Sequence, residues 1–308
     1  MIKKKITIIV PCYNEEENLN SFFKKIQNII EEINLDYNVI FIDDGSSDQT
    51  WNIINKFSEK DSNITSLKLS KNFGHQAALK AGFDHAIGDF ILSLDADHQD
   101  PPELLVKMIE KMTNEKLNIV YAQREVNQEG VFKKFSSYLF YFIFNKICKI
   151  NILQQVSDFR LVDAKVLVQL KNNNEHDLFY RGFVPWMGFK HGVVKFKREN
   201  RKYGKSGWNV MKMIDFALTG IFNFSNLPMR ISFIVTILMI SLFLGLSLYA
   251  LISHFNGNTI QGWTSLILVL SFLNIGVFFI LGLISEYVGR IYNEIKKRPN
   301  YIVSDKKN

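Results

Sequence analysis

Cysteine is nearly absent: Cys12 and Cys148 are the only two among 308 residues and lie far apart, which excludes a disulfide framework. No Cys/His spacing for zinc and no recognisable nucleic-acid-binding module accompanies the net charge of +7, so that excess suits an anionic membrane surface and phosphorylated substrates better. No cleaved targeting segment is expected either. The basic Met1 to Lys5 is followed by Ile6 to Val10, too short for a signal-peptide core and leading directly into a strand pattern. With 47% hydrophobic residues the chain is neither a disordered tail nor a fibre.

Charge is missing from two stretches, Ile231 to Ile252 (22 residues) and Leu266 to Ile284 (19 residues), neither of which holds Asp, Glu, Lys or Arg. A spanning helix needs roughly 20 apolar residues at about 1.5 Å each, so both are expected to cross a bilayer as a hairpin. The connection Ser253 to Ser265 has no Lys or Arg, whereas Arg290, Lys296, Lys297, Arg298, Lys306 and Lys307 follow the second run. The positive-inside rule then puts both ends in the cytoplasm. The expected organisation is a catalytic domain over 1–207, a juxtamembrane amphipathic helix over 208–230, the hairpin over 231–284 and a basic cytoplasmic tail over 285–308.

Ahead of the hairpin, β-branched runs alternate with helical patterns. Ile6 to Val10, Val39 to Asp43, Ile64 to Leu69, Phe90 to Leu94 and Asn118 to Ala122 read as strands. Leu19, Phe22, Phe23, Ile26, Ile29, Ile30 and Ile33 recur at helical spacing, and Trp51, Ile53, Ile54 and Phe57 do so less cleanly. Nearly all-apolar strands separated by helices imply an α/β domain with a mainly parallel sheet covered on both faces. Ligands of such sheets sit beyond the carboxyl ends of the strands. Three polar clusters fall there: Pro11 to Glu15, Asp43 to Asp48 and Asp95 to Asp100.

The first cluster alone reads equally as a turn opening a helix. The second has Gly45 for a turn and two carboxylates that a bland turn does not need; Asp44 is the candidate for accepting hydrogen bonds from a nucleobase or ribose. In the third, Asp95 and Asp97 are separated by the small Ala96. Both suit a hard divalent cation bridging a diphosphate, Gln99 is placed to add a carbonyl oxygen, and Pro101 and Pro102 open the next helix. His98 reads as a neighbour of such a site rather than a ligand. Further along, Phe135, Tyr138, Leu139, Phe142 and Ile143 form an apolar stripe flanked by Lys133, Lys134, Lys146 and Lys149, suited to an in-plane helix at a phosphate-rich surface.

The run Val10 to Leu19, Asp43-Asp-Gly-Ser46, Asn72-Phe-Gly-His-Gln-Ala-Ala78, Asp95 to Glu103 and Ser157-Asp-Phe-Arg-Leu161, in this order, resemble the glycosyltransferase family 2 catalytic domain. Within it the likeness is to the polyisoprenyl-phosphate glycosyltransferases, and it extends from Ile6 to the second apolar run. The resemblance implies a GT-A type nucleotide-sugar domain. It implies donor contacts from Pro11, Tyr13, Glu15, Asp44, Lys71, Asp95, Ala96 and Asp97, and a basic loop, Arg201, Lys205 and Ser206, that closes over the donor phosphates. Gly207 stands where a Lys often follows in that loop. It further implies Mg²⁺ or Mn²⁺ held by Asp95, Asp97 and Gln99, and acceptor contacts from Lys133, Lys134 and Ser137. A homo-oligomer, a tetramer in related enzymes, and a bacterial inner-membrane location also follow from the resemblance.

A nucleotide-sugar donor develops negative charge on its diphosphate as the glycosidic bond breaks, and a cation with Arg or Lys stabilises it. A lipid monophosphate acceptor is already anionic, with a second pKa of about 6, so no strong general base is required. Arg124, Arg160 and Arg201 are the candidate cations. Asp158 either orients the acceptor or acts as a base. The expected reaction is metal-dependent inverting transfer of a hexose from a nucleotide sugar, UDP-glucose leading, to a polyprenyl phosphate, undecaprenyl phosphate leading. GDP-mannose, UDP-N-acetylhexosamine and modified pentose donors suit the same chemistry. A processive polysaccharide synthase would carry a Gln-x-x-Arg-Trp signature that is missing here. A silent nucleotide-binding scaffold would not need Asp95, Asp97 and Gln99.

Overall fold

The computed structural model describes residues 4–33, 35–125, 145, 153–197, 220–222, 224–225, 227–255 and 263–308. The chain divides into two units: one holds the sheet and the segment from Pro299 onward, the other the two long helices. The elements of the first unit are β1 (Lys5–Cys12), α1 (Glu16–Glu32), β2 (Asp36–Asp43), α2 (Thr50–Lys60), β3 (Ile64–Leu69), α3 (His75–His85), β4 (Phe90–Ser93), α4 (Leu104–Asn114), β5 (Ile119–Arg124), β6 (Val156–Asp163), α5 (Ala164–Asn172), α6 (Tyr180–Trp186), β7 (His191–Phe196) and, at the far end of the chain, β8 (Val303–Lys307).

The strands form one eight-stranded sheet in the order β7-β5-β6-β4-β1-β2-β3-β8. β1 pairs in parallel with β2 and β4, β2 with β3, and β5 with β7, as runs buried on both faces lead one to expect. The sheet is nevertheless mixed. β6 runs antiparallel to both β4 and β5, and β8 antiparallel to β3. Because the chain winds outward from β1 to β3 and then returns to place β4 on the other side of β1, the order reverses between β1 and β4. A crevice opens at such a reversal, beyond the carboxyl ends of the strands.

Apolar burial holds this arrangement. Ile6, Ile8, Ile9, Val10, Val39, Ile40, Phe41 and Ile42 are fully enclosed, and α1 adds Leu19, Phe22, Phe23, Ile26 and Ile29 from one face. Each such side chain contributes about 1.5–3 kcal/mol by leaving water. α3 lies close to the sheet because Gly82 has no side chain; a Cβ there would stand 2.2 Å from Ile9 Cγ2. α4 begins at Leu104, so Pro101 and Pro102 form the turn before it rather than its first residues, and their carbonyls accept from the Leu104 and Leu105 amides.

The residues expected as a basic tail have two structures: a long helix (Trp263–Lys296) continues to Lys296, and the chain then supplies β8. Ser70 N–H donates to the Ile302 carbonyl at 2.9 Å, Tyr301 Oη donates to Asp84 Oδ2 at 2.9 Å, and Asn300 Nδ2 donates to the Glu175 carbonyl at 2.8 Å.

The second unit contains α7 (Leu227–Phe255, 29 residues) and α8 (Trp263–Lys296, 34 residues). They pack on one another, and Gly276 is one point of contact: a Cβ there would lie 2.8 Å from Met239 Sδ. Among the described residues one segment, Phe272–Lys296, is long and apolar enough to cross a membrane, with mean hydropathy 1.7; Leu227–Leu242 is a shorter apolar helix.

Candidate active site

The crevice between β1 and β4 is a cleft of about 340 Å³ lined by Pro11, Cys12, Tyr13, Glu15, Asp44, Asn72, Gly74, His75, Ala78, Asp95, Ala96 and Asp97. Seven of the positions singled out from the sequence therefore share one wall-to-wall space: Pro11, Tyr13 and Glu15 after β1, Asp44 after β2, and Asp95, Ala96 and Asp97 after β4.

The turns that present them are tied together. Asn14 stands at φ +54° and its N–H donates to Ser46 Oγ at 2.9 Å, while its own side-chain oxygen accepts from Ser47 N–H at 2.9 Å. Asp48 accepts from the Glu16 and Thr50 amides, so it is a fastener between α1 and α2. Asp44 is buried, and its two carboxylate oxygens accept from Phe73 N–H at 2.8 Å and Gly74 N–H at 2.9 Å. Burial nevertheless raises its pKa, the two amides opposing the shift. Much of Asp44's hydrogen-bonding capacity thus fixes the turn that leads into α3.

The third cluster is crowded with negative charge. Asp97 is buried and accepts from Gln99 N–H at 3.1 Å, while the Asp95 side chain is 36% exposed. Desolvation raises the Asp95 pKa; His75 opposes this, and the carboxylates of Asp158 and Asp97 reinforce it. Asp100 is driven up to about 6, first by burial and then by Asp95, against the pull of Arg124. It accepts from Arg124 Nη2 at 3.3 Å and Ser157 Oγ at 3.2 Å. No group of three or more His, Cys, Asp or Glu among the described residues is placed to cage a metal. Two carboxylates facing a solvent-filled cleft do fit a Mg²⁺-like ion, which is commonly bound by one or two carboxylates with substrate phosphates and water completing its shell.

Asp158 and Arg160 project from the same face of β6. Arg160 is 2% exposed; its Nη2 donates to Asp158 Oδ1 and its Nη1 to the Tyr180 carbonyl at 3.2 Å. Arg160, a candidate cation for the reaction from the sequence, is thus enclosed in the core, where its guanidinium holds Asp158 and the Tyr180 carbonyl. Asp158 is equally buried. Around its other oxygen stand His75 Nε2 at 3.4 Å, Gln76 Nε2 at 3.3 Å and Arg181 Nη2 at 3.4 Å. Burial alone would raise its pKa, but Arg181, His75 and Arg160 outweigh that and hold it far below the usual carboxylate range. His75 also lies 3.6 Å from Asp95 Oδ1, and although desolvation disfavours its charge, Asp95 and Asp158 carry its pKa up to about 9.

Lys71 lies outside the cleft lining, exposed, with its Nζ 5.1 Å from the Phe73 ring centre. Arg201, Lys205, Ser206, Lys133, Lys134 and Ser137 lie outside the described residues. His75, Gln76 and Arg181 are the site residues that the sequence reading left without a role. The first two sit in the Asn72 to Ala78 run, where Gly74 before a helical pattern was the available signal; Arg181 had none.

The mixed-sheet α/β domain is GT-A-like, and with residues 7–170 matching glycosyl transferase family 2 the chain belongs to that family of glycosyltransferases. It is related over most of its length to bactoprenol glucosyl transferases at about 35% identity. A "prophage bactoprenol glucosyl transferase homolog" of Escherichia coli is 36% identical over 97% of this chain and 98% of its own. An uncharacterized glycosyltransferase of Bacillus subtilis, YkcC, is 38% identical over 96% of this chain and 92% of its own. Among solved structures, residues 1–349 of S. aureus TarS in complex with UDP-GlcNAc match with a TM-score of 0.48 at 19% identity, over 70% of this chain and 64% of that one.

Proposed function

We propose that this protein transfers a hexosyl group, glucose foremost, from UDP-glucose to a polyprenyl phosphate such as undecaprenyl phosphate. The observation that carries the reading is the acidic cleft at the β1/β4 reversal, formed by Asp44, Asp95 and Asp97 in a chain so similar to bactoprenol glucosyl transferases. In this reading Pro11, Tyr13, Glu15 and Asp44 receive the nucleoside. Asp95 and Asp97, with Gln99, hold Mg²⁺ or Mn²⁺. When bound, that ion screens the donor diphosphate and stabilises the charge that collects there.

The attacking atom is an oxygen of an already anionic phosphate, so the protein need not remove a proton from it. Asp158 suits that chemistry: a carboxylate held ionised by three or more cationic and amide donors is a poor proton acceptor and a good anchor for them. Its part is to aim His75 and Arg181.

The helices α7 and α8 form the membrane hairpin in this reading. Their 29 and 34 residues make rods of roughly 44 and 51 Å at 1.5 Å per residue, longer than the roughly 30 Å hydrocarbon layer. The catalytic domain and both chain ends then face the cytoplasm, with the connection between α7 and α8 outside. The reading is tested with purified full-length protein, labelled nucleotide sugars, undecaprenyl phosphate and Mn²⁺, followed by lipid extraction. Labelled glucose in the lipid phase is the expected result, and no lipid product with any donor overturns it.

A further inference from the structure

His98 is not used by the chemistry above, yet it is 1% exposed and stands at φ +63°, in the left-handed region that most side chains avoid. Its neighbours in sequence are Asp97 and Gln99. Its ring leaves the acidic loop and enters α1, where Nε2 lies 2.7 Å from Ser21 Oγ and 3.2 Å from the Asn18 carbonyl, with the Phe22 ring edge-on at 5.7 Å between centres. The Asn18 carbonyl can only accept, so the tautomer with the hydrogen on Nε2 is the one that satisfies every contact: Nε2 donates to Ser21 Oγ, whose own hydrogen goes to the Asn18 carbonyl at 3.0 Å.

Asn18 in turn donates from Nδ2 to Glu15 Oε2 at 2.6 Å, and Glu15 lines the opposite wall of the cleft. One imidazole thereby connects the loop that carries Asp95, Asp97 and Gln99 to the segment that carries Tyr13 and Glu15. Two residues further on, Asp100 fastens the same loop to Ser157 and Arg124. Ligands of a hard cation must be held within about 0.5 Å by groups locked behind them. A residue whose backbone lies between two of those ligands moves both if it shifts.

We propose that His98 is a positioning residue: by donating from Nε2 into α1 it fixes the backbone of Asp97 and Gln99 and so sets the affinity of the cleft for a divalent cation beside the donor diphosphate. This rests on the cation assignment made above. The test is Mn²⁺ binding to the full-length protein with UDP, read by electron paramagnetic resonance, alongside thermal unfolding. His98→Leu keeps the bulk and removes the donor; it is expected to weaken Mn²⁺ binding at least about fivefold, since loss of such supporting contacts commonly costs 10- to 100-fold. His98→Gln, whose amide N–H reaches a similar distance, is expected to regain most of that loss. Ser21→Ala, on the intact loop, is expected to weaken Mn²⁺ binding in the same direction, and it carries the test if His98→Leu does not fold. Wild-type affinity in His98→Leu or in Ser21→Ala overturns the proposal, as does a His98→Gln protein no better than His98→Leu. Absence of Mn²⁺ binding by the wild-type protein with UDP overturns the cation assignment itself and the His98 role with it.

Discussion

Asp158 and Arg160, two residues apart on β6, point to the same side of the strand and form a buried ion pair, with Arg160 also holding the Tyr180 carbonyl. The pair joins three parts of the site. Its carboxylate meets His75 and Gln76 from α3 and Arg181 from α6, while Gln76 Oε1 accepts from Tyr180 N–H at 3.0 Å.

Removing one member of such a pair leaves the other charged in the core, which typically costs about 3–5 kcal/mol. Arg160→Met is therefore expected to lower the thermal midpoint of the full-length protein sharply. Asp158→Asn keeps the shape and an acceptor oxygen but removes the charge that gathers His75 and Arg181, and its turnover is expected to fall by more than its stability does. Parallel unfolding and glucosyl-transfer measurements on the two variants check this. Equal stability of Arg160→Met and wild type would show that the guanidinium does not hold the site.

Gly45 makes a separate case. It stands at φ +68°, and a Cβ would lie 2.4 Å from the Lys71 carbonyl carbon and 2.6 Å from Asn72 N, both backbone atoms with little room to give. The close approach lets the Asp44 carboxylate reach the Phe73 and Gly74 amides. Gly45→Ala is expected to cost about 1–3 kcal/mol through strain and the loosened turn, and to weaken UDP binding. Denaturant unfolding with calorimetric titration of UDP measures both; an alanine variant matching wild type in each would remove the turn's claimed role.

At the other end of the chain, Tyr301 donates to Asp84, which also receives Lys80 Nζ at 2.7 Å, and Lys80 is almost wholly buried. The segment after α8 is thus sewn to the C-terminal end of the same helix whose first residue is His75. Tyr301→Phe is expected to cost about 0.5–1.5 kcal/mol, the usual net worth of one hydrogen bond, and adding Asn300→Ala to cost more. Thermal unfolding of the single and double variants tests it, and an unchanged midpoint in the double variant would separate β8 from the stability of the domain.

The strands β1 to β5 were legible because buried parallel strands are written as apolar runs, and the cleft was legible because acidic clusters followed three of them. β6 was missed although Val156 to Asp163 is mostly buried: Asp158 and Arg160 interrupt its apolar pattern, and it is their pairing in space, with His75, Gln76, Arg181 and the Tyr180 carbonyl around them, that lets them lie inside. β8 is polar in sequence, Val-Ser-Asp-Lys-Lys, and is an edge strand whose side chains stay largely in water. Arg181 acquires its place from tertiary packing of a seven-residue helix, which no local pattern encodes.

Asp97 gives the sharpest separation of chemistry from folding. Its carboxylate lies in a cluster where Asp97 and Asp158 both help raise the Asp95 pKa, so without a cation the site is electrostatically frustrated. Asp97→Asn relieves part of that repulsion and keeps an oxygen where Gln99 N–H donates, so the variant is expected to unfold at or above the wild-type temperature in chelator. With Mn²⁺ and UDP the order is expected to reverse. A ligand at a hundred times its dissociation constant stabilises by about 2.7 kcal/mol, and the variant is expected to lose most of that gain. Turnover is expected to fall at least about tenfold, equivalent to roughly 1.4 kcal/mol at the barrier. Scanning calorimetry of both proteins in chelator and in Mn²⁺ with UDP reads the crossing directly; wild-type stabilisation and wild-type turnover in Asp97→Asn would take the cation away from this carboxylate.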